Sequence, residues 1–148
     1  MIRDHELDNK MMAYAIDVSH LSTCCRRQVG CLIMTANKCY SYGYNHQPKK
    51  LVSCKSKGKC IRDIEHIECG KNVEFCYGIH AEHMAIEKAI EKGLDLNGAT
   101  LYCTHSPCST CVKEIIDVGI TDIVYLNKYP DDFAFKLLDE ANIKYHEF

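Results

Sequence analysis

The sequence predicts an α/β sandwich with a partly parallel sheet. Two observations carry that prediction: five short β-branched and apolar runs, and four longer stretches with apolar residues at helical spacing. In the second half of the chain the two kinds alternate, the order that lays parallel strands under covering helices. Residues 7–21 set Leu7, Met11, Met12, Ala15, Ile16 and Leu21 three to five apart, an amphipathic helix with Asp4 or Asp8 near its start. Residues 29–34 and 39–44 read as two strands of a hairpin, joined by a turn at Asn37 and Lys38. Residues 46–78 have no period and carry Lys49, Lys50, Lys55, Lys57 and Lys59 among four cysteines. So long a stretch inside a compact domain is functional, disordered or pinned, and here a metal can pin it. A helix over 81–92 turns Met84, Ala85, Ala89 and Ile90 to one face and stops at Gly93. A strand over 99–104 follows, then a helix opened by Pro107 and stopped by Gly119. A strand over 122–126, a helix over 131–140 and a last strand over 143–148 complete the order.

The 148 residues suit one domain, 1–148, large enough to bury a core without covalent staples. A formal net charge of -2 argues against a protein that coats nucleic acid, which needs a basic excess. No apolar run approaches the roughly 20 residues that span a bilayer, and the polar opening residues do not read as a signal peptide. A cytoplasmic location with reduced thiols is therefore expected (a host's cytoplasm for a viral source). The 11 cysteines are too many to be incidental there, and their odd number prevents complete pairing. They point to metal.

Two segments concentrate the chemistry. His80-Ala-Glu82 opens one helix and Pro107-Cys-Ser-Thr-Cys111 opens another. Cys108 and Cys111 are three apart, so both sulfurs can reach one point in a first helical turn, where the helix dipole favours thiolate. With His80 they make three N/S ligands and leave the fourth zinc position open. Glu82 cannot share the direction of His80 on a regular helix. It lies beside the metal, where a general acid/base belongs. Each segment alone has a plainer reading: a Cys-x-x-Cys is also a redox dithiol or half a structural knuckle, and a His-x-Glu is usually helix surface. His83 is set aside as a ligand because three protein ligands suffice.

Together the segments match the signature of zinc nucleobase deaminases. Around them lie Ser22-Thr-Cys-Cys-Arg-Arg-Gln-Val-Gly30, Gly43-Tyr-Asn-His-Gln-Pro48, Leu101-Tyr-Cys-Thr104, Gly119-Ile120 and Val124-Tyr-Leu-Asn-Lys-Tyr129. In this order the set resembles the deoxycytidylate (dCMP) deaminase family over nearly the whole chain. The resemblance implies a three-layer α-β-α sandwich around a mixed five-stranded sheet, of cytidine deaminase type. It implies hydrolysis of dCMP to dUMP and ammonia, supplying thymidylate synthesis, with one catalytic Zn2+ and Glu82 as the proton carrier. The Ala81 N–H would hold the pyrimidine carbonyl, and Asn45 would contact sugar and ring. Arg26 or Arg27 would take the 5′-phosphate, with Tyr129 beside them; solvated surface is the plainer reading for the arginines, and packing for Tyr129. A homo-oligomer, commonly a hexamer in the family, is implied too, with dCTP and dTTP as effectors. Family members often carry glycine where His46 and Lys49-Lys50 stand here, which counts against that regulation.

Some family members also hold a structural zinc near the aperiodic stretch. The corresponding ligands here are Cys24, Cys54, Cys69 and Cys76, with Cys60 and His66 as substitutes; ordinary buried thiols are the alternative. Cys31, Cys39 and Cys103 fall within strands and are expected in the core. The basic residues from Lys49 to Arg62 read as a solvated loop, or as a surface drawing anionic nucleotides inward. Deamination of dCTP, or of a cytosine or adenine base in nucleic acid, is the rival activity. The Lys49–Lys59 stretch lacks the aromatics that a single-strand groove interleaves with basic residues, so no stable nucleic-acid partner is expected. A zinc-bound interaction module is the rival class, and Glu82 argues against it.

Overall fold

The computed structural model describes residues 3–60, 66 and 76–148. Its first helix, α1, spans His5–Ser19, with Asp4 accepting a hydrogen bond from the Leu7 N–H at 3.0 Å. Of the two candidate caps Asp4 is therefore the one used. Asp8 instead turns inward and accepts from the Tyr102 hydroxyl at 2.9 Å while pairing with Arg3 Nε at 2.6 Å. The helix ends before Leu21, which is 55% exposed. Strands β1 (Gly30–Met34) and β2 (Tyr40–Tyr44) form the expected hairpin, and a one-turn helix, α2 (Cys54–Lys57), falls in the aperiodic stretch. Then come α3 (Ala81–Glu91), β3 (Thr100–His105), α4 (Ser109–Asp117), β4 (Asp122–Asn127), α5 (Asp132–Glu140) and β5 (Lys144–Glu147).

The sheet runs β2-β1-β3-β4-β5. β1 is antiparallel to both β2 and β3, whereas β3, β4 and β5 are parallel, so the sheet is mixed. Alternate side chains divide the core. Leu32, Met34, Tyr102 and Val124 pack against Met11, Met12 and Ala15 of α1. Cys31, Ile33, Leu101, Cys103 and Ile123 face the other way, onto Ala85 and Ile86 of α3, Val112 and Ile115 of α4 and Leu138 of α5. One helix thus covers one face and three cover the opposite face, the three-layer arrangement expected. Two glycines permit close approach. A Cβ on Gly30 would collide with the Ala15 carbonyl of α1, and one on Gly43 with the Ala81 carbonyl of α3.

Three expectations need correction. Ile90 is 59% exposed, and Ile86 fills the core position on α3 instead. Cys39 precedes β2 and is half-buried; it lies in the turn, its N–H donating to Thr35 Oγ1 at 2.9 Å. Pro107 lies outside α4, whose cap residue is Cys108. Among the described residues no helix is long and apolar enough to cross a membrane.

Candidate active site

His80 and Cys108 occupy the same structural position in two helices. Each is the extended cap residue, His80 before α3 at φ -70° and ψ 149°, Cys108 before α4 at φ -75° and ψ 167°. Neither side chain caps its own helix, so both are free to turn toward a shared point. Cys111, one turn into α4, completes the group and is buried, while Cys108 is half-buried. His80 Nδ1 lies 3.1 Å from Cys111 Sγ and 3.5 Å from Cys108 Sγ. All three ligand atoms fall within 4.8 Å of one another. Tetrahedral zinc with ordinary Zn–N and Zn–S bonds places such atoms about 3.5 Å apart, so the triad fits the ion.

The start of α4 is fixed from a distance. Asp131 Oδ2 accepts from the Ser109 N–H at 2.7 Å while its Oδ1 accepts from Ala134 N–H at 3.1 Å. One carboxylate therefore serves the first turns of both α4 and α5. Ser106 Oγ accepts from the Tyr129 N–H at 2.7 Å, pinning the loop before Cys108 to the loop after β4. Sequence reading saw Asp131 only as a helix start, because its partner Ser109 lies 22 residues away. On the other flank His46 and Ile79 exchange backbone hydrogen bonds of 3.1 and 2.6 Å. That bridge holds the chain just before His80.

The three groups of the triad shift one another's pKa values. The Cys111 thiol donates toward Cys108, and with the His80 imidazole it pulls the Cys108 thiol down to about 4. His80 is pushed up to about 9 by that same sulfur, and Cys111 is held protonated by its bond to Cys108 and by burial. A metal takes the imidazole as a neutral ligand and the cysteines as thiolates, so its binding releases protons.

Glu82 lies beside the triad without belonging to it. Its Oε2 is 3.3 Å from Cys111 Sγ and its Oε1 3.8 Å from Cys103 Sγ. The side chain is 4% exposed, and burial raises its pKa above the usual carboxylate range. Such a carboxylate takes and returns protons readily. His83 points away, pairing with Glu114 at 3.0 Å on the surface.

A cavity of about 340 Å³ opens over these groups. His80, Ala81, Glu82 and Cys108 line its floor, and Arg26, Arg27, Asn45 and Tyr129 line its walls. Every residue proposed from sequence to bind substrate therefore faces one space. Ala81 is the first residue of α3, so its N–H has no acceptor within the helix. The Asn45 Oδ1 accepts from the Val29 N–H at 2.9 Å and from the Ser22 hydroxyl, and Nδ2 donates to the Arg27 carbonyl at 2.7 Å. Asn45 thus braces the arginine loop. The Arg27 guanidinium lies 4.8 Å from the centroid of the Tyr129 ring, so Tyr129 seats the arginine. His105 also lines the cavity, its pKa lowered by burial and by Arg27. Strand position alone did not mark it.

The second cysteine set behaves differently. Cys24, Cys60 and Cys76 line the same cavity, and Cys54 is buried at the start of α2. Cys24, Cys54 and Cys76 form no compact ligand group among the described residues; the groups found there are His80-Cys108-Cys111 and Cys31-Glu82-Cys103. Cys69 and Arg62 lie outside the described residues. His66 is exposed. Lys49, Lys50, Lys55, Lys57 and Lys59 are exposed too, as a solvated loop requires.

Residues 5–127 match the cytidine and deoxycytidylate deaminase zinc-binding region. The chain is 32% identical over 142 residues to a deoxycytidylate deaminase of Schizosaccharomyces pombe, covering 95% of this chain and 44% of that one. It is 35% identical over 144 residues to a deoxycytidylate deaminase of Saccharomyces cerevisiae, again covering 95% and 44%. The chain thus spans less than half the length of these two relatives. In fold it is similar to the dCMP deaminase of cyanophage S-TIM5 solved with dCMP and dUMP. The TM-score is 0.77 at 24% identity, covering 99% of this chain and all of that one.

Proposed function

The chain belongs to the cytidine and deoxycytidylate deaminase family, and from that premise we propose that it hydrolyses dCMP to dUMP and ammonia. The observation that carries the reading is the buried Glu82 carboxylate, 3.3 Å from Cys111 Sγ yet outside the His80-Cys108-Cys111 triad. A structural zinc site closes its fourth position with a ligand and has no use for a neighbouring acid.

Zinc held by His80, Cys108 and Cys111 would supply a Lewis acid that lowers the pKa of water to about 7. Glu82 takes one proton from the attacking water and passes it to ring N3, then takes the remaining hydroxyl proton and delivers it to the amine leaving C4. The oxygen of the water stays on the ring and ammonia departs, so the atoms balance. The Ala81 N–H, at a helix N-terminus, donates to the pyrimidine carbonyl. Asn45 faces the sugar from the cavity wall. Arg26 and Arg27 meet the 5′-phosphate, Arg27 held in place by Tyr129. A single phosphate suits a cavity of about 340 Å³, within the range of small-molecule sites.

A second, structural zinc on Cys24, Cys54, Cys69 and Cys76 belongs to the same reading. Two observations support it. Gln47 Oε1 accepts from the Thr23 hydroxyl at 2.7 Å and from the Cys54 N–H at 3.2 Å, tying the chain at Cys24 to that at Cys54. The Cys76 sulfur accepts from the Gly78 N–H at 3.3 Å, a bond that stabilises a thiolate ligand. A homo-oligomer, dCTP or dTTP as effectors and a cytoplasmic setting complete the proposal. They rest on the family resemblance and the composition of the sequence.

The test compares ammonia release from dCMP, dCTP, deoxycytidine and a cytosine-containing oligonucleotide, with wild type and Glu82→Ala. Wild type should prefer dCMP in kcat/KM. Glu82→Ala should keep its zinc and lose at least about 10²-fold in kcat. Preference for dCTP or the oligonucleotide would move the substrate class, and unchanged turnover by Glu82→Ala would refute the mechanism.

A further inference from the structure

The mechanism uses one oxygen of Glu82 and leaves the other, Oε1, to the protein interior. Oε1 lies 3.8 Å from Cys103 Sγ on β3, and Cys103 is the register partner of Cys31 on β1. Cys31 and Cys103 are 0% exposed, and neither lines the cavity. Burial keeps both thiols protonated, Cys103 at about 11. The Cys103 S–H is therefore a donor aimed at the carboxylate, with Cys31 packed behind it.

We propose that Cys103 is a positioning residue for Glu82: its S–H, backed by Cys31, holds Oε1 and turns Oε2 toward the metal triad. The inference rests on the role of Glu82 proposed above. Its physical basis is the soft terminal torsion of glutamate, which no rotamer well fixes. Cys103 Sγ, 3.8 Å from Oε1, restrains that torsion and keeps the carboxylate from rotating away. Oε2 then stays on the side of the triad, 3.3 Å from Cys111 Sγ, where it accepts a proton from water. Cys31, Glu82 and Cys103 also meet the spacing of a metal cluster, with their ligand atoms within 4.8 Å. The bond from Cys103 Sγ to Oε1, and the enclosure of both thiols away from the cavity, favour the positioning role.

The experiment uses the full metal-loaded chain with Cys103→Val, Cys103→Ser and Glu82→Ala. Cys103→Val should lower kcat about tenfold with KM for dCMP nearly unchanged, because one hydrogen bond to a charged group is lost. Cys103→Ser should restore most of the rate, since a hydroxyl still donates. Metal content should be the same in all. Difference infrared spectra should show the Cys103 S–H stretch moving to higher wavenumber in Glu82→Ala, a shift that packing alone does not produce. Wild-type kcat in Cys103→Val, equal losses in the valine and serine variants, or an unmoved S–H band would each overturn the proposal. Loss of metal from Cys103→Val would overturn it too and make the cluster a metal site. If Glu82→Ala itself stays active, the functional reading fails; if only Cys103→Val stays active, this inference alone fails.

Discussion

The two cysteine groups differ in what carries them. Cys108 and Cys111 ride on the start of α4, and their partner His80 on the start of α3. Both starts are anchored by packing on the sheet, and the Asp131 carboxylate ties α4 to α5. Cys24 and Cys76, in contrast, sit in loops, and Cys54 opens a helix of only one turn. The ligand atoms of the first group lie within 4.8 Å of one another, and among the described residues those of the second form no such group. A ligand set on rigid elements is preorganised before the ion arrives, whereas one on loops has to be closed by it.

Removing a ligand from each group tests that contrast. Cys108→Ala should cost the most: one zinc per chain lost by metal analysis, and turnover reduced to background. The fold should survive, since half-buried Cys108 sits at the edge of the core, and circular dichroism should stay nearly unchanged. Collapse of the fold in this variant would mean that the catalytic triad is structural as well. Cys54→Ala should act in the opposite sense. Zinc should fall from two per chain to one, turnover should persist, and the melting temperature should drop several degrees as the clip on the aperiodic stretch is lost. One zinc per chain in wild type would remove the second site.

The smallest expected effect concerns the cavity wall. His105 has its folded pKa lowered by burial and by Arg27, so the native state binds fewer protons there than the unfolded chain. Its contribution to stability is whole above the unfolded value of about 6.5 and is lost as pH falls through the lower folded value. Between pH 7.5 and 5.5 wild type should therefore lose about 1–2 °C more in melting temperature than His105→Gln. His146, also lowered by burial, leaves a residual slope of the same sign in both. A steeper loss in the variant would reverse the assignment.

Much of the fold was legible because period and punctuation are local. The alternation of strands and helices, the hairpin and the stops at Gly93 and Gly119 all follow from short-range rules, and all appear. Errors fell where tertiary contact overrides the local pattern. Ile90 fits an apolar face on spacing, yet Ile86 is the residue beneath which the sheet passes. Asp8 reads as a cap candidate but is drawn inward by Tyr102, 94 residues away. Cys31 and Cys103 read as core thiols, which they are, but nothing local shows that their strands pair in register beneath Glu82.

By itself the sequence determined the ligand types, their spacing and the separate acid, because zinc chemistry and helix-start geometry both depend on short intervals. The tertiary structure decided how the walls are built: Asn45 bracing the arginine loop, Tyr129 seating Arg27, and Asp131 serving two helices. It also decided which thiols face Glu82. Those relations join residues about 20 to 100 positions apart in sequence, and only the packing of the sheet against its helices brings them within hydrogen-bond reach.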